Sequence, residues 1–174
     1  REPGGPRARA GLSPTSPLEE PRLSNLRPPQ PPTPAADAFR IHRARVDGDL
    51  ELAYVREGVG GYPLLLIHGY PETKRIWWRN VRPLVEAGYE VIVPDLRGYG
   101  DSDLSADDAY DLVLYGRDLR TLVHDVLGHP RCGGIAGDVG GVVLCDLANR
   151  HPGFVERMIF FNTVPPTDFA NPDW

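Results

Sequence analysis

Cysteine is scarce in this chain of 174 residues: Cys132 and Cys145 are the only two. Two thiols without His or carboxylate company build neither a disulfide framework nor a metal site, so no metal and no cofactor is expected. The pair fits a reduced, cytoplasmic protein. Cys145 falls within an apolar helical pattern and reads as a small buried apolar residue. Positive charge is also in short supply. There are 19 Lys and Arg against 24 Asp and Glu, a formal net charge of -5, which leaves no basic footprint for nucleic acid. No apolar run is long enough to span a bilayer, and no signal-type apolar core precedes the first patterned segment, so no membrane partner is expected. Serine is sparse too, and none lies near the one Gly-rich strand–turn–helix signal.

Proline is abundant and uneven. Ten of the nineteen prolines fall in the first 36 residues, among Arg, Ser and Gly and with almost no apolar periodicity. Such a stretch buries too little surface to offset its ordering entropy, so residues 1–36 read as a disordered tail. Pro28-Pro29-Gln30-Pro31-Pro32 has the form of an SH3-type ligand, although a passive tail is the simpler reading. Residues 37–174 form one patterned unit. Phe39 to Val46 and Leu50 to Val55 alternate around Asp47-Gly48-Asp49 and predict a β-hairpin. Pro63 to Ile67, Glu90 to Val93, Gly133 to Gly137 and Val155 to Phe161 predict strands. Thr73 to Ala87, Ala109 to Leu127 and Val139 to Arg150 predict helices, the first two closed by Gly88 and Gly128. Alternating β and α units with an edge hairpin imply a mostly parallel sheet with helices on both faces.

The most informative segment runs from Gly133 to Leu144. It reads as a short strand, a sharp turn at Asp138 and a helix. Ala136, Gly137, Gly140 and Gly141 flank the Asp with little or no side-chain bulk. A side chain held on so tight a turn needs small neighbours, because strand and helix nearly touch there. The pattern fits a nucleophile elbow with Asp in place of Ser. It also fits a helix whose Asp only caps the first turn.

Two upstream motifs bear on that choice. His68-Gly69-Tyr70-Pro71 follows one buried apolar run, and Asp95-Leu96-Arg97-Gly98-Tyr99-Gly100-Asp101-Ser102 follows another. Taken in order with the Asp elbow, they resemble the α/β-hydrolase fold, and within it the epoxide hydrolase and dehalogenase branch that uses an Asp nucleophile. The resemblance covers about Phe39 to Pro166. It implies that Asp138 attacks carbon to form an alkyl-enzyme ester, and that the backbone N–H groups of Tyr70 and Val139 form an oxyanion hole. It also implies a substrate pocket lined by His68, Gly69, Pro71 and Trp77, for a small epoxide or alkyl halide. His68 reads as a residue that orders the loop, and Arg97 as one that binds loop carbonyls. The acidic run Asp101, Asp103, Asp107, Asp108, Asp111 lacks the spacing of a calcium loop and reads as a solvated segment with a helix cap. Gly100-Asp101-Ser102 shares letters with a GDS-type esterase but follows the wrong strand.

The departures narrow the function further. Many relatives place Trp after the nucleophile, and haloacetate dehalogenases place Arg near it; here the residue is Val139. Some relatives keep an acid after the strand that follows the elbow helix; here that place is Asn162. Epoxide hydrolase is the expectation that remains, with haloalkane or haloacetate dehalogenase as the alternative and a non-catalytic scaffold as another. None of His42, His68, His124, His129 and His151 lies on a loop after a late strand, where the family's base sits. The chain is therefore expected to be the nucleophile half of the domain, without cap or C-terminal half and inactive alone. The strand Val155 to Phe161 is expected to present an apolar edge that favours dimerisation.

Overall fold

The computed structural model describes residues 32–163. The expectations placed on the tail before Pro32, on its proline motif and on residues 164–174 lie outside the described residues.

Six strands form one sheet in the order β1-β2-β4-β3-β5-β6. β1 (Ile41–Asp47) and β2 (Leu50–Glu57) pair antiparallel as the edge hairpin, and β2 pairs antiparallel with β4 (Tyr89–Pro94). From β4 onward β3 (Tyr62–Ile67), β5 (Cys132–Gly137) and β6 (Val155–Phe161) run parallel. Asp47 pairs with Leu50, so the turn is Gly48-Asp49, with Gly48 at φ 53°.

The central strands are apolar on both sides because both faces are covered. Leu65, Ile67, Ile92 and Ala136 point to a core shared with α2 (Leu112–Arg120) and α3 (Val139–Arg150). Leu64, Leu66, Val91 and Val93 point the other way, toward Trp78 and Val81 of α1 (Trp78–Glu86). Each such side chain, taken out of water, contributes about 1.5–3 kcal/mol before the entropy of ordering is counted.

Two helices differ from expectation. The segment expected as one helix over Thr73 to Ala87 opens with a 3₁₀ turn, Lys74–Trp77, before α1 begins. Thr73 caps that turn. The helix expected from Ala109 starts at Leu112, because Asp111 is its cap and accepts from the Leu114 N–H at 2.8 Å. The residues before it are committed to a turn in which the Asp107 carboxylate accepts from Ser105 Oγ and the Ala109 N–H. After Arg120 the helix widens into a π segment, Thr121–Val126, and Gly128 at φ 79° ends it.

Strand β5 has Gly at three of its six positions, and neighbours occupy the vacated space. A Cβ on Gly133, Gly134 or Gly137 would meet Leu64 at 3.1 Å, Leu144 at 2.5 Å and Phe161 at 2.6 Å respectively. The strand that leads to Asp138 therefore lies close under both helix and neighbouring strands.

Candidate active site

Asp138 sits at the junction of β5 and α3 with φ 53° and ψ -132°. An L-residue held at positive φ stores strain, and the surroundings must over-determine it. The Asp138 carbonyl accepts from Thr163 Oγ1 at 2.5 Å and from the Gly141 N–H at 3.0 Å. Gly140 lets α3 approach the preceding loop, since a Cβ there would lie 2.4 Å from the His68 carbonyl oxygen. The Asp138 side chain makes no capping bond into the helix.

The carboxylate faces the loop after β3. The Tyr70 N–H donates to Asp138 Oδ1 at 2.9 Å. Asp138 lies below the usual aspartate range, with the adjacent Val139 N–H the larger influence and the Tyr70 N–H the second. Of the two N–H groups expected at the site, that of Tyr70 is hydrogen-bonded to the Asp138 carboxylate. Gly69 makes the approach possible, because a Cβ there would lie 2.6 Å from Asp138 Cβ and 2.8 Å from Oδ1.

The remaining expected residues divide. Pro71 is exposed and follows a cis Tyr70-Pro71 bond, and the Tyr70 side chain is exposed. Trp77 is buried, with its ring edge-on to Phe161 at 5.9 Å. Its indole N–H has no hydrogen-bond partner among the described residues. The pocket-lining expectation for His68 is corrected, because the residue is 0% exposed. Its Nε2 accepts the Leu96 N–H at 3.0 Å, which leaves the proton on Nδ1 to donate to the Gly69 carbonyl at 2.9 Å. Burial pushes its pKa down. His68 is a neutral strut inside the loop.

Arg97 also departs from expectation. It is buried and binds carboxylates, Asp118 through Nε at 2.6 Å and Asp47 through Nη2 at 3.1 Å, instead of loop carbonyls. Two members of the acidic run are tied down as well. Asp103 accepts from Arg43 and from the Glu51 N–H, and Asp101 from Lys74 and Arg75. Lys74, Glu72 and Thr163 were not among the residues expected at the site, and Asp95 entered only as the first residue of its motif. Asp95 directly after a buried strand was a usable signal. A buried Lys carries none, since lysine is an exposed residue type by default. Among the described residues no group of three or more His, Cys, Asp or Glu is placed to hold a metal ion, and no helix is long and apolar enough to cross a membrane.

A family model described as alpha/beta hydrolase fold matches residues 62–174. The chain belongs to the α/β-hydrolase fold family. Within this family it is similar to proteins named as epoxide hydrolases. The soluble epoxide hydrolase of Corynebacterium sp. (strain C12) is 38% identical over 126 residues, covering 71% of this chain and 42% of the relative. Epoxide hydrolase 4 of Mus musculus is 35% identical over 126 residues, covering 71% and 34%. The crystal structure of epoxide hydrolase A from Mycobacterium thermoresistibile matches with a TM-score of 0.68 at 32% identity, over 74% of this chain and 40% of that one. This α/β hydrolase chain therefore spans less than half the length of these relatives.

Proposed function

We propose that this chain is the nucleophile-bearing half of an epoxide hydrolase and that Asp138 is the nucleophile. The observation that carries the reading is the Tyr70 N–H held 2.9 Å from Oδ1 of Asp138, a residue kept at φ 53° on the strand-to-helix turn. Attack by the oxygen not held by Tyr70 opens the epoxide. A C–O bond forms to the enzyme, the ring C–O bond breaks, and the epoxide oxygen takes a proton from an acid. Oδ1 is left as the ester carbonyl oxygen, already facing its donors. A water then adds to that carbonyl carbon and gives its proton to a base. Negative charge builds on Oδ1, where one preorganised donor is typically worth about 2.7–4 kcal/mol of barrier. Collapse releases the diol and restores the carboxylate.

The acid and the base belong to other parts of the whole protein. Of the described histidines, His68 is bonded to Leu96 and Gly69. His42 stacks on Tyr54, His124 pairs with Asp125, His129 pairs with Glu90, and His151 ends α3. Val139 has no side-chain N–H for a leaving halide, which favours an epoxide over an alkyl halide. The Pro-rich segment 1–36 is taken as a tail, and 37–174 as the first part of the hydrolase domain. The buried free thiols Cys132 and Cys145 accord with a cytoplasmic setting.

The test is alkylation of the 174-residue chain by an aryl-substituted oxirane, read by intact mass and peptide fragmentation. With solvent water protonating the opened oxygen in place of that acid, one adduct per chain is expected at Asp138 over a long incubation, with none in Asp138→Asn and no multiple turnover. Absence of an adduct in the unaltered chain sinks the reading. Capture of alkyl bromides with release of bromide, while oxiranes leave the chain untouched, moves the assignment to dehalogenase.

A further inference from the structure

Lys74 is fully buried, an uncommon state for an ammonium unless partners compensate the lost hydration. Its Nζ lies between two carboxylates, Asp95 Oδ2 and Asp101 Oδ2, the latter at 2.5 Å. Asp95 is fully buried as well. Its Oδ1 accepts the Lys74 N–H at 2.7 Å and its Oδ2 the Asp101 N–H at 2.8 Å. Arg75 joins from the rim through Nη2, 3.2 Å from Asp101 Oδ2. No step of the chemistry above uses this cluster.

Its position suggests a role. The loop that bears the Tyr70 N–H begins at His68 and ends where Lys74 starts the 3₁₀ turn. The His68 end is fixed by the Leu96 N–H, and the Lys74 end by the Asp95 carboxylate. Both ends are therefore tied to one dipeptide, Asp95-Leu96, at the end of β4. Between them the loop is braced by its own bonds, Gly69 N–H to Glu72 Oε2 at 2.8 Å and Glu72 N–H to the Gly69 carbonyl at 3.2 Å. A short loop fixed at both ends has little freedom left, so the placement of the Tyr70 N–H on Asp138 depends on the two anchors. The His68 anchor is neutral. The other rests on an ammonium that lies between Asp95 and Asp101 and holds them together.

We propose that Lys74 is a positioning residue whose buried ammonium, by clamping Asp95 and Asp101, holds the Gly69–Thr73 loop so that the Tyr70 N–H meets Asp138. This deepens the proposed function, since it concerns the anion hole of that site. Removing the ammonium leaves Asp95 buried beside Asp101 without a counter-charge. Asp95 then loses the contact that fixes its carboxylate, and its hold on the backbone N–H of residue 74 weakens.

The test needs no substrate and uses the whole 174-residue chain. In Lys74→Met, hydrogen exchange at the Tyr70 amide is expected to quicken about tenfold or more, while the amides of Val91 to Val93 stay protected. The Asp138 carboxyl, titrated by NMR, is expected to move up toward the ordinary aspartate value. Leu122→Ala, a core cavity on the other face, is expected to lower stability without either change. A folded Lys74→Met chain with both signals unaltered overturns the proposal, and so does an equal response in Leu122→Ala. If Lys74→Met does not fold, Asp101→Asn carries the test. It keeps the Lys74–Asp95 pair and is expected to give smaller changes in the same direction, and no change overturns the proposal. Neither signal involves an epoxide, so an Asp138 that resists alkylation defeats the functional reading without touching this one.

Discussion

At the scale of single residues, the site depends on atoms that are missing as much as on those present. Gly69 faces Asp138 so closely that a methyl group has no room. Gly69→Ala is expected to cost about 1–3 kcal/mol in a urea melt and to slow alkylation of Asp138; unchanged values in both measurements would refute the close approach. His68 adds a pH dependence. Burial lowers its folded pKa, whereas the unfolded residue titrates near 6.5, so below about that pH the unfolded state binds a proton the folded state refuses. Stability should therefore fall as pH falls through that region. His151, also lowered by burial, acts with the same sign. Thermal melts at pH 7.5 and 5.5 should show a smaller loss in His68→Gln than in the unaltered chain. At lower pH, Asp138 contributes its own term. Its folded pKa is depressed, so its contribution is present above the ordinary aspartate value and is lost as pH falls toward the folded one. The crowding at Asp138 was readable because small residues around an Asp imply it whatever the partner, whereas Gly69, Tyr70 and Val139 were expected there only from the family resemblance. Lys74 was not, because its partners lie 21 and 27 residues away and nothing local announces burial.

At the scale of elements, most of the sheet was legible, since apolar runs of strand length between turn residues admit few other readings. The hairpin, the parallel order and the strand–turn–helix at Asp138 follow that logic. The helix ends were less so. Asp111 and Asp107 are both good caps on paper, and only the tertiary turn through Ser105 decides which one starts α2. Arg97 shows the same limit. Its Gly-rich context suggested carbonyl partners, whereas Asp118 of α2 meets it across the core. This pair links the β4 loop to α2. Arg97→Met strands a buried carboxylate and is expected to cost about 3–5 kcal/mol, with much of it recovered in Arg97→Met/Asp118→Leu. Chemical denaturation of both variants decides this, and a double variant as unstable as the single one would mean that Asp118 is not the group left stranded.

At the scale of the whole molecule, β6 is the outlying feature. It closes the sheet order among the described residues, and Met158, Ile159, Phe160 and Phe161 are all exposed. The irregularity in its pairing lies at the start of the strand, between Val155 and Arg157. The apolar stretch that follows is an edge without Pro or Lys, which invites strand addition. The 174-residue chain is therefore expected to self-associate in light scattering, and Ile159→Lys to shift it toward monomer. A cooperative, monomeric unaltered chain would contradict this.

The glycines of β5 carry a consequence for how mutations in this chain should be read. Half of that strand has no side chain with which to grip the core, so Leu64, Leu144 and Phe161 act as the walls of a slot. The aim of Asp138 is thus encoded at positions remote in sequence from the elbow. A deep mutational scan should find that trimming Leu64 or Phe161 disperses the orientation of Asp138 while every residue of the motif stays intact. Inspection of the motif alone would pass such chains as sound.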